Sequence, residues 1–202
     1  MLYGPALFYK CPKCERLTTK GSLLSGNTFG AILYSDGKQI APMLPDFPEI
    51  VKCKKCKTFF WLYEENEINC DSNDADKAEF LSVYEYYEAI NSNVYNNKNE
   101  LKFLKINLWW TFNDRIRENK DLFLKENDKE IYEQNCFDLI NILKQNNINN
   151  KIMAAELNRN LGKFDECKSI LESIKDEEYN WIIELLETEC SKNNKDNIIL
   201  RQ

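Results

Sequence analysis

The sequence predicts an α+β protein in which a small β-rich module precedes an all-α region. All five prolines and five of the six glycines lie before residue 49, and both residue types favour turns over helices. Beyond residue 76, apolar residues recur at the three- and four-residue spacing of amphipathic helices. We therefore expect two domains, with the β-rich module in residues 1–70 and the helical domain in residues 71–202.

Composition limits the functions open to this chain. It has 202 residues, a formal net charge of −6 and no histidine. A Ser-His-Asp triad, a Cys-His nucleophile and a histidine-containing metal site are therefore excluded. The acidic balance argues against non-specific nucleic-acid binding by the whole molecule. Neither a signal peptide nor a membrane-length apolar run is evident, so we expect a cytoplasmic protein without membrane contact, whose cysteines are reduced or metal-bound.

Strand candidates in the module are short runs rich in aromatic and β-branched residues. They cover residues 7–10, 29–34, 38–41 and 58–63. Ser35, Asp36 and Gly37 predict a tight turn between the second and third. With the polar residues 25–28, this turn could also line a pocket, an alternative that stays open. The Asn- and Asp-rich residues 66–76 are predicted to be the linker.

Two C-x-x-C pairs give the clearest chemical signal. Cys11 and Cys14 form one pair, and Cys53 and Cys56 form the other. A tetrahedral zinc ion needs four soft ligands, and two such turns supply four thiolates. Such a site has no open coordination position, so we expect one Zn²⁺ ion that holds the fold rather than taking part in a reaction. A thiol-disulfide redox role is the alternative.

This pattern resembles the zinc-ribbon family, in which paired knuckles at the tips of β-hairpins close a metal site. The resemblance covers roughly residues 7–63 and implies that the four cysteines are the metal ligands. The stretch between the two knuckles is longer than in compact zinc ribbons. An inserted hairpin and loop is therefore expected in residues 21–48.

Lysines crowd the knuckles, and some ribbons bind nucleic acid through such a face with aromatic residues nearby. The basic face would consist of Lys13, Lys54, Lys55 and Lys57. The nearby aromatic residues are Tyr9, Phe59, Phe60 and Trp61. A nucleic-acid-associated ribbon in transcription or translation is therefore the alternative function. Otherwise the lysines compensate the anionic metal centre and the aromatic residues belong to the core.

Helical periodicity accounts for most of residues 71–202. The first helix is expected near residues 80–90, capped by Ser72 or Asp74. Residues 101–112 carry apolar side chains on several faces, which suits a helix buried on most sides. Further helices are expected at about residues 129–145, 149–161, 164–175 and 178–191.

Residues 154–167 resemble the centre of a tetratricopeptide repeat, in which small residues and a left-handed glycine cap let two helices pack closely. Those positions hold Ala155, Gly162, Phe164 and Cys167. The resemblance implies a helical array with an inner groove for a protein partner. Groove residues would include Ile152, Glu156, Arg159 and Asn160. A plain helical bundle is the alternative architecture.

The polar residues at the end of the second long helix, Asn113, Asp114, Arg115 and Arg117, predict a helix end with ordinary ion pairs, and a buried polar site is the alternative. No spacing defines an acid/base pair, a phosphate loop or a nucleophile elbow. As a whole, the chain resembles bacterial proteins that join a zinc ribbon to a repeat-like helical region. We expect a zinc-binding, non-enzymatic protein-interaction adaptor.

Overall fold

The computed structural model describes residues 1–70, 72, 74–143 and 147–201. Its contacts divide the chain into two compact units. The first unit comprises Met1–Ala31 and Ile40–Tyr95, and the second comprises Ile32–Gln39 and Asn96–Gln202. Most of the short strands lie in the first unit and most of the helices in the second, which confirms the α+β class. In the described part of the chain, no helix combines the length and apolarity that crossing a membrane would need.

The strands are short and the helices follow them in the chain. The strands are β1 (Leu2–Tyr3), β2 (Leu7–Lys10), β3 (Leu17–Lys20), β4 (Leu23–Ser25), β5 (Ile32–Tyr34), β6 (Gln39–Ile40), β7 (Ile50–Lys52), β8 (Phe59–Trp61), β9 (Glu67–Ile68), β10 (Asp76–Lys77) and β11 (Ile199–Arg201). The helices are α1 (Val83–Asn91), α2 (Lys98–Arg117), α3 (Asp128–Ile142), α4 (Ile148–Asn160), α5 (Phe164–Glu172) and α6 (Asn180–Ser191). Each predicted strand and helix has a counterpart, most of them displaced or shortened by a few residues, whereas α2 extends beyond the predicted residues 101–112 at both ends.

The first unit is built from a four-stranded sheet in the order β10-β3-β2-β9 and two further antiparallel pairs, β1-β4 and β7-β8. Among the described strand pairs of this unit, the β10-β3 pair alone is parallel. Because successive strand residues point to opposite faces, alternate residues of β2 and β8 share one apolar core. That core includes Tyr9, Cys11, Val51, Cys53, Phe60 and Leu62.

The predicted linker contributes to this sheet rather than separating two domains. Within residues 66–76, β9 pairs with β2, and β10 begins at Asp76 beside β3. Asp76 is held there by Arg16, whose Nε lies 2.9 Å from its carboxylate. The linker prediction therefore fails at both ends, while its positions 71 and 73 lie outside the described residues. Residues 32–39 group with the helices of the second unit instead of with the strands of the first.

The cap of helix α1 lies ten residues after Ser72 and eight after Asp74, the two caps predicted from the sequence. The cap is Ser82, whose hydroxyl accepts from the Glu85 backbone N–H, while the Glu85 carboxylate accepts from the Ser82 backbone N–H. This reciprocal capping box satisfies two donors that the first turn would otherwise leave unpaired. Glu85, three residues after Ser82, is the sequence signal for this box. A search for the cap residue alone overlooks it.

The second unit has its own apolar core around α4, α5 and α6. Buried members include Ala155, Cys167, Leu171, Leu186 and Cys190. The small residues Ala155 and Cys167 lie in this core, as the repeat resemblance implies. Gly162 directly follows Leu161, the C-cap of helix α4, and has a φ of +77°. A tetratricopeptide array, as opposed to a bundle, stays a prediction.

Replacing Gly162 with alanine is expected to lower the free energy of unfolding by about 1–2 kcal/mol, because a left-handed backbone is costly for a residue with a Cβ. The added Cβ would also meet Lys195 Cε at 2.5 Å, although that side-chain end is flexible. Urea denaturation followed by circular dichroism measures the change. Gly162→Asn should lower the free energy of unfolding by less, since asparagine tolerates this conformation. An alanine variant as stable as the wild type would contradict the role of this cap.

The hairpin at residues 32–39 is bound to the helices by a buried carboxylate. The Asp36 side chain is fully buried and accepts hydrogen bonds from Arg117 and, at 2.9 Å, from Asn113 Nδ2. The Trp110 indole N–H donates to the Asp36 carbonyl oxygen at 2.9 Å. The turn residues and the helix end, considered separately in the sequence, therefore form one buried polar site.

Asp36→Asn is expected to destabilise the second unit by about 2–3 kcal/mol, because hydrogen bonds between charged groups contribute about that much and Arg117 would lose its buried counter-charge. Thermal and urea unfolding of the full chain measure this loss. Asp121→Asn, at an exposed loop position, is the control and should change stability by less than about 0.5 kcal/mol. Equal stability of the two variants would show that Asp36 does not anchor the hairpin.

Candidate functional site

The two cysteine knuckles have the same backbone geometry. In the first, the Cys11 N–H donates to the Arg16 carbonyl and the Glu15 N–H donates to the Cys11 carbonyl, at 3.0 and 2.9 Å. In the second, the Cys53 N–H donates to the Thr58 carbonyl at 2.8 Å, and the Lys57 N–H donates to the Cys53 carbonyl at 2.9 Å.

The residue four positions after each first cysteine also has a positive φ, 55° at Glu15 and 62° at Lys57. Neither residue is a glycine, so the left-handed turn is imposed by the knuckle and not by an intrinsic preference.

These turns bring the four sulfur atoms together. The Sγ atoms of Cys11, Cys14, Cys53 and Cys56 all lie within 4.8 Å of one another. Across the two knuckles, Cys11 and Cys56 are 3.5 Å apart, and Cys14 and Cys53 are 3.6 Å apart. Four sulfurs at 2.3 Å from a tetrahedral ion would be separated by about 3.8 Å. The donor set therefore fits one metal ion.

Burial and hydrogen bonding shift the thiol pKa values of Cys11 and Cys56 in opposite directions. Cys11 and Cys53 are buried, whereas Cys14 and Cys56 are half-buried. Burial raises the pKa of the Cys11 thiol to about 12, while the hydrogen bond with the Thr58 side chain lowers the pKa of Cys56 to about 6. Metal ligands must be thiolates. Burial opposes ionisation of Cys11, so this thiol becomes a thiolate readily only when a cation compensates its charge.

The four lysines of the predicted basic face differ in their ion pairing. Lys54 lies 2.7 Å from Glu79. Lys13, Lys55 and Lys57 are exposed and have no ion pair with a residue that the structure describes.

The aromatic residues named with the basic face belong mostly to the core. Tyr9, Phe59 and Phe60 are 2%, 8% and 7% exposed. Trp61 is half-buried, and its indole N–H donates to the Val94 carbonyl. A stacking surface for bases therefore lacks three of its four expected members.

The predicted groove residues lie in the interior of the second unit. Glu156 and Arg159 are fully buried, Asn160 is 6% exposed, and Ile152 packs half-buried against the apolar core. Arg159 Nη2 and Glu156 Oε1 are 2.7 Å apart, and the Ser35 hydroxyl donates to the same carboxylate oxygen at 2.6 Å. These side chains do not line an open groove.

Their remaining polar atoms bind the C-terminal segment of the same chain. Arg159 donates to the carbonyls of Asn194 and Asp196 at 2.5 and 2.7 Å, and Asn160 donates to that of Lys195 at 2.9 Å. The following strand, β11, pairs with β5. The expectation of a partner groove is thus corrected: the residues that would hold a partner's main chain hold this chain's own.

Comparison with protein-family models, with curated proteins and with solved structures finds no match for this chain. Function is therefore inferred from the residues and their geometry alone.

Proposed function

We propose that this chain is a non-enzymatic protein-interaction adaptor whose first unit is held together by one structural Zn²⁺ ion. The observation that carries the metal-binding part is the fit of four cysteine sulfurs to a single tetrahedral ion. With four protein ligands, no coordination position is left for water or substrate. Zinc is the ion that a closed set of four thiolates most often holds in structural sites, and iron is the competing choice.

The ion would act as a cross-link between distant parts of the chain. Cys11 and Cys14 follow β2, and Cys53 and Cys56 lie between β7 and β8. Cys11 and Cys53 also belong to the apolar core of the first unit, so the metal and the core support each other. Binding energy is then folding energy, since the four ligands are assembled only in the folded unit.

The non-enzymatic part of the proposal is supported by how the buried polar groups are used. Asp36 binds Arg117 and Asn113, and Glu156 binds Arg159 and Ser35. A catalytic carboxylate must reach a substrate in a cleft, whereas these two carboxylates are fully buried and bound to side chains of their own unit. They join segments of their own unit and do not face a substrate.

Affinity capture from host lysate tests this role. Tagged full-length protein would be used with and without nuclease, beside the triple variant Lys13→Gln/Lys55→Gln/Lys57→Gln. We expect protein partners that survive nuclease and still bind the triple variant. Recovery of nucleic acid that is lost in the triple variant and weakens steeply with salt would instead establish the nucleic-acid-associated ribbon. This second candidate is favoured by the exposure of Lys13, Lys55 and Lys57, which form no ion pair with any described residue.

A further inference from the structure

Residues 194–201, which we call the strap, are held by the rest of the second unit mainly through their main chain. Arg159 and Asn160 donate to three consecutive carbonyls of the strap. The Ser35 N–H donates to the Ile198 carbonyl at 2.9 Å, and the Ile198 N–H donates to the Ser35 hydroxyl at 3.1 Å. Strand β11 then continues along β5. Every residue except proline offers both main-chain groups, so these contacts select an extended segment and not a particular sequence.

The side chains of the strap alternate between the apolar core and the surface, as in any strand. Ile198 and Leu200 pack half-buried against the core of α4 to α6, whereas Ile199 between them is 45% exposed. The Arg201 guanidinium lies over the Trp181 ring, 5.3 Å from its centroid. The site therefore accepts two alternate apolar side chains and offers an aromatic face to a cation that follows them.

One side chain of the strap is mismatched to this site. The Oδ1 and Nδ2 atoms of Asn197 are both buried and have no hydrogen bond with any described residue. A buried amide without partners costs stability, whereas an apolar group of the same shape avoids that cost. Asn197 therefore weakens the hold of the strap, and a segment with an apolar residue at this position would bind the same site more tightly.

The strap is an outer layer of the unit and competes for its site as a tethered ligand. All of its residues are half-buried or exposed, whereas Glu156 and Arg159 are fully buried. Because the strap follows α6 after a short turn, its effective concentration at the site is on the order of millimolar. A free segment identical to the strap would therefore bind weakly, and only a segment that fits better would displace it.

We infer that the strap occupies a strand-addition site for a partner protein and is displaced there by an extended segment of that partner. The main chain of the partner segment pairs with β5 and accepts from Arg159 and Asn160. Its apolar side chains take the places of Ile198 and Leu200, and a further apolar residue replaces the unpaired amide of Asn197. The inference rests on the proposed adaptor function and names the surface that the partner contacts.

The test measures the binding of labelled peptides with blocked ends to the full chain by fluorescence anisotropy. One peptide has the sequence of residues 193–201, a second carries Asn197→Leu, and a third carries Ile198→Ser/Leu200→Ser. We expect the second peptide to bind at least about tenfold more tightly than the first, because it buries no unpaired amide. The third should show no measurable binding, because it lacks both apolar contacts.

Variants of the chain's own strap should shift the affinity for the second peptide in opposite directions. Ile198→Ser/Leu200→Ser weakens the strap and should raise this affinity by about tenfold or more, because a larger fraction of the sites is open. Asn197→Leu strengthens the strap and should lower the affinity by about tenfold. Ile199→Ser, at an exposed apolar position of the same strand, is the matched control and should stay within about twofold of the wild type. Circular dichroism at 222 nm confirms that each variant is folded.

Equal binding of the three peptides, or equal affinities in the wild type and the strap variants, would overturn the inference. A different occupant is also detectable. If light scattering shows that the wild-type chain is a dimer and that Ile198→Ser/Leu200→Ser is a monomer, a second copy supplies the segment and the inference of a separate partner is wrong.

The Asn197→Leu chain separates this inference from the adaptor proposal. If lysate partners bind this variant as well as they bind the wild type, the surface is wrong and the adaptor proposal stands. If no protein partner is captured by any form of the chain, the adaptor proposal fails, and the peptide titrations still decide whether the strap site accepts a second segment.

Discussion

Cys11→Ser is expected to unfold the first unit while the helices of the second unit stay folded. Structural zinc in small domains contributes about 10–16 kcal/mol of apparent binding free energy, and whole domains are stable by only about 5–15 kcal/mol. Loss of one of four ligands therefore removes more stability than this unit has to spare. The second unit keeps its own apolar core around Leu171 and Leu186, so its structure does not depend on the metal.

Two-dimensional ¹H–¹⁵N NMR of the full chain resolves the two outcomes. Amide signals of β2, β3, β7 and β8 should collapse to random-coil positions, and those of α3 to α6 should remain dispersed. Cys70→Ser is the matched control, because Cys70 is a half-buried cysteine of the same unit that lies outside the sulfur cluster. If Cys11→Ser keeps the dispersed strand signals seen in Cys70→Ser, the metal does not hold this unit.

Arg159→Met is expected to destabilise the second unit by about 3–5 kcal/mol, the usual cost of leaving one partner of a buried ion pair without the other. Arg159 and Glu156 are both fully buried. Arg159 also donates to the carbonyls of Asn194 and Asp196, so the variant loses the anchor of the C-terminal segment as well. Urea denaturation monitored at 222 nm gives the change in free energy.

Two further variants show whether the buried charge is the cause. Lys192→Met removes the ion pair between the exposed Lys192 and Glu189 and should cost about 0–1 kcal/mol, because Asn194 still donates to the Glu189 carboxylate. Glu156→Met/Arg159→Met removes both buried charges and should be more stable than Arg159→Met alone, because no uncompensated charge remains. A loss in Arg159→Met no larger than that in Lys192→Met would contradict the structural role of this pair.

Local patterns predicted the parts of the protein that depend on neighbours in sequence. Each C-x-x-C turn is a local feature, so the four sulfurs could be identified before their 3.5 and 3.6 Å contacts were known. The helices could be placed within a few residues because apolar spacing repeats over several turns. The two-residue strands β9 and β10 could not, since a pattern of period two needs more residues than that to be recognised.

Contacts between distant segments account for what the sequence did not show. Ser35 and Glu156 are 121 residues apart and share a 2.6 Å hydrogen bond. The repeat resemblance implies a groove position for Glu156, Arg159 and Asn160 because they occupy the first helix of a repeat-like pair. Nothing local to α4 indicates that residues 194–196 cover them, because the hydrogen bonds go to main-chain carbonyls that every residue has.

The most direct test of the account is the metal content and metal coordination of freshly purified, full-length protein prepared without chelators. Elemental analysis should find about one zinc ion per chain, and X-ray absorption should show four sulfur ligands at about 2.3 Å. Visible absorption from iron would show that the bound ion is iron, and the four-cysteine metal site would still stand. Less than about half an equivalent of any metal, with disulfides among Cys11, Cys14, Cys53 and Cys56, would contradict a structural metal centre.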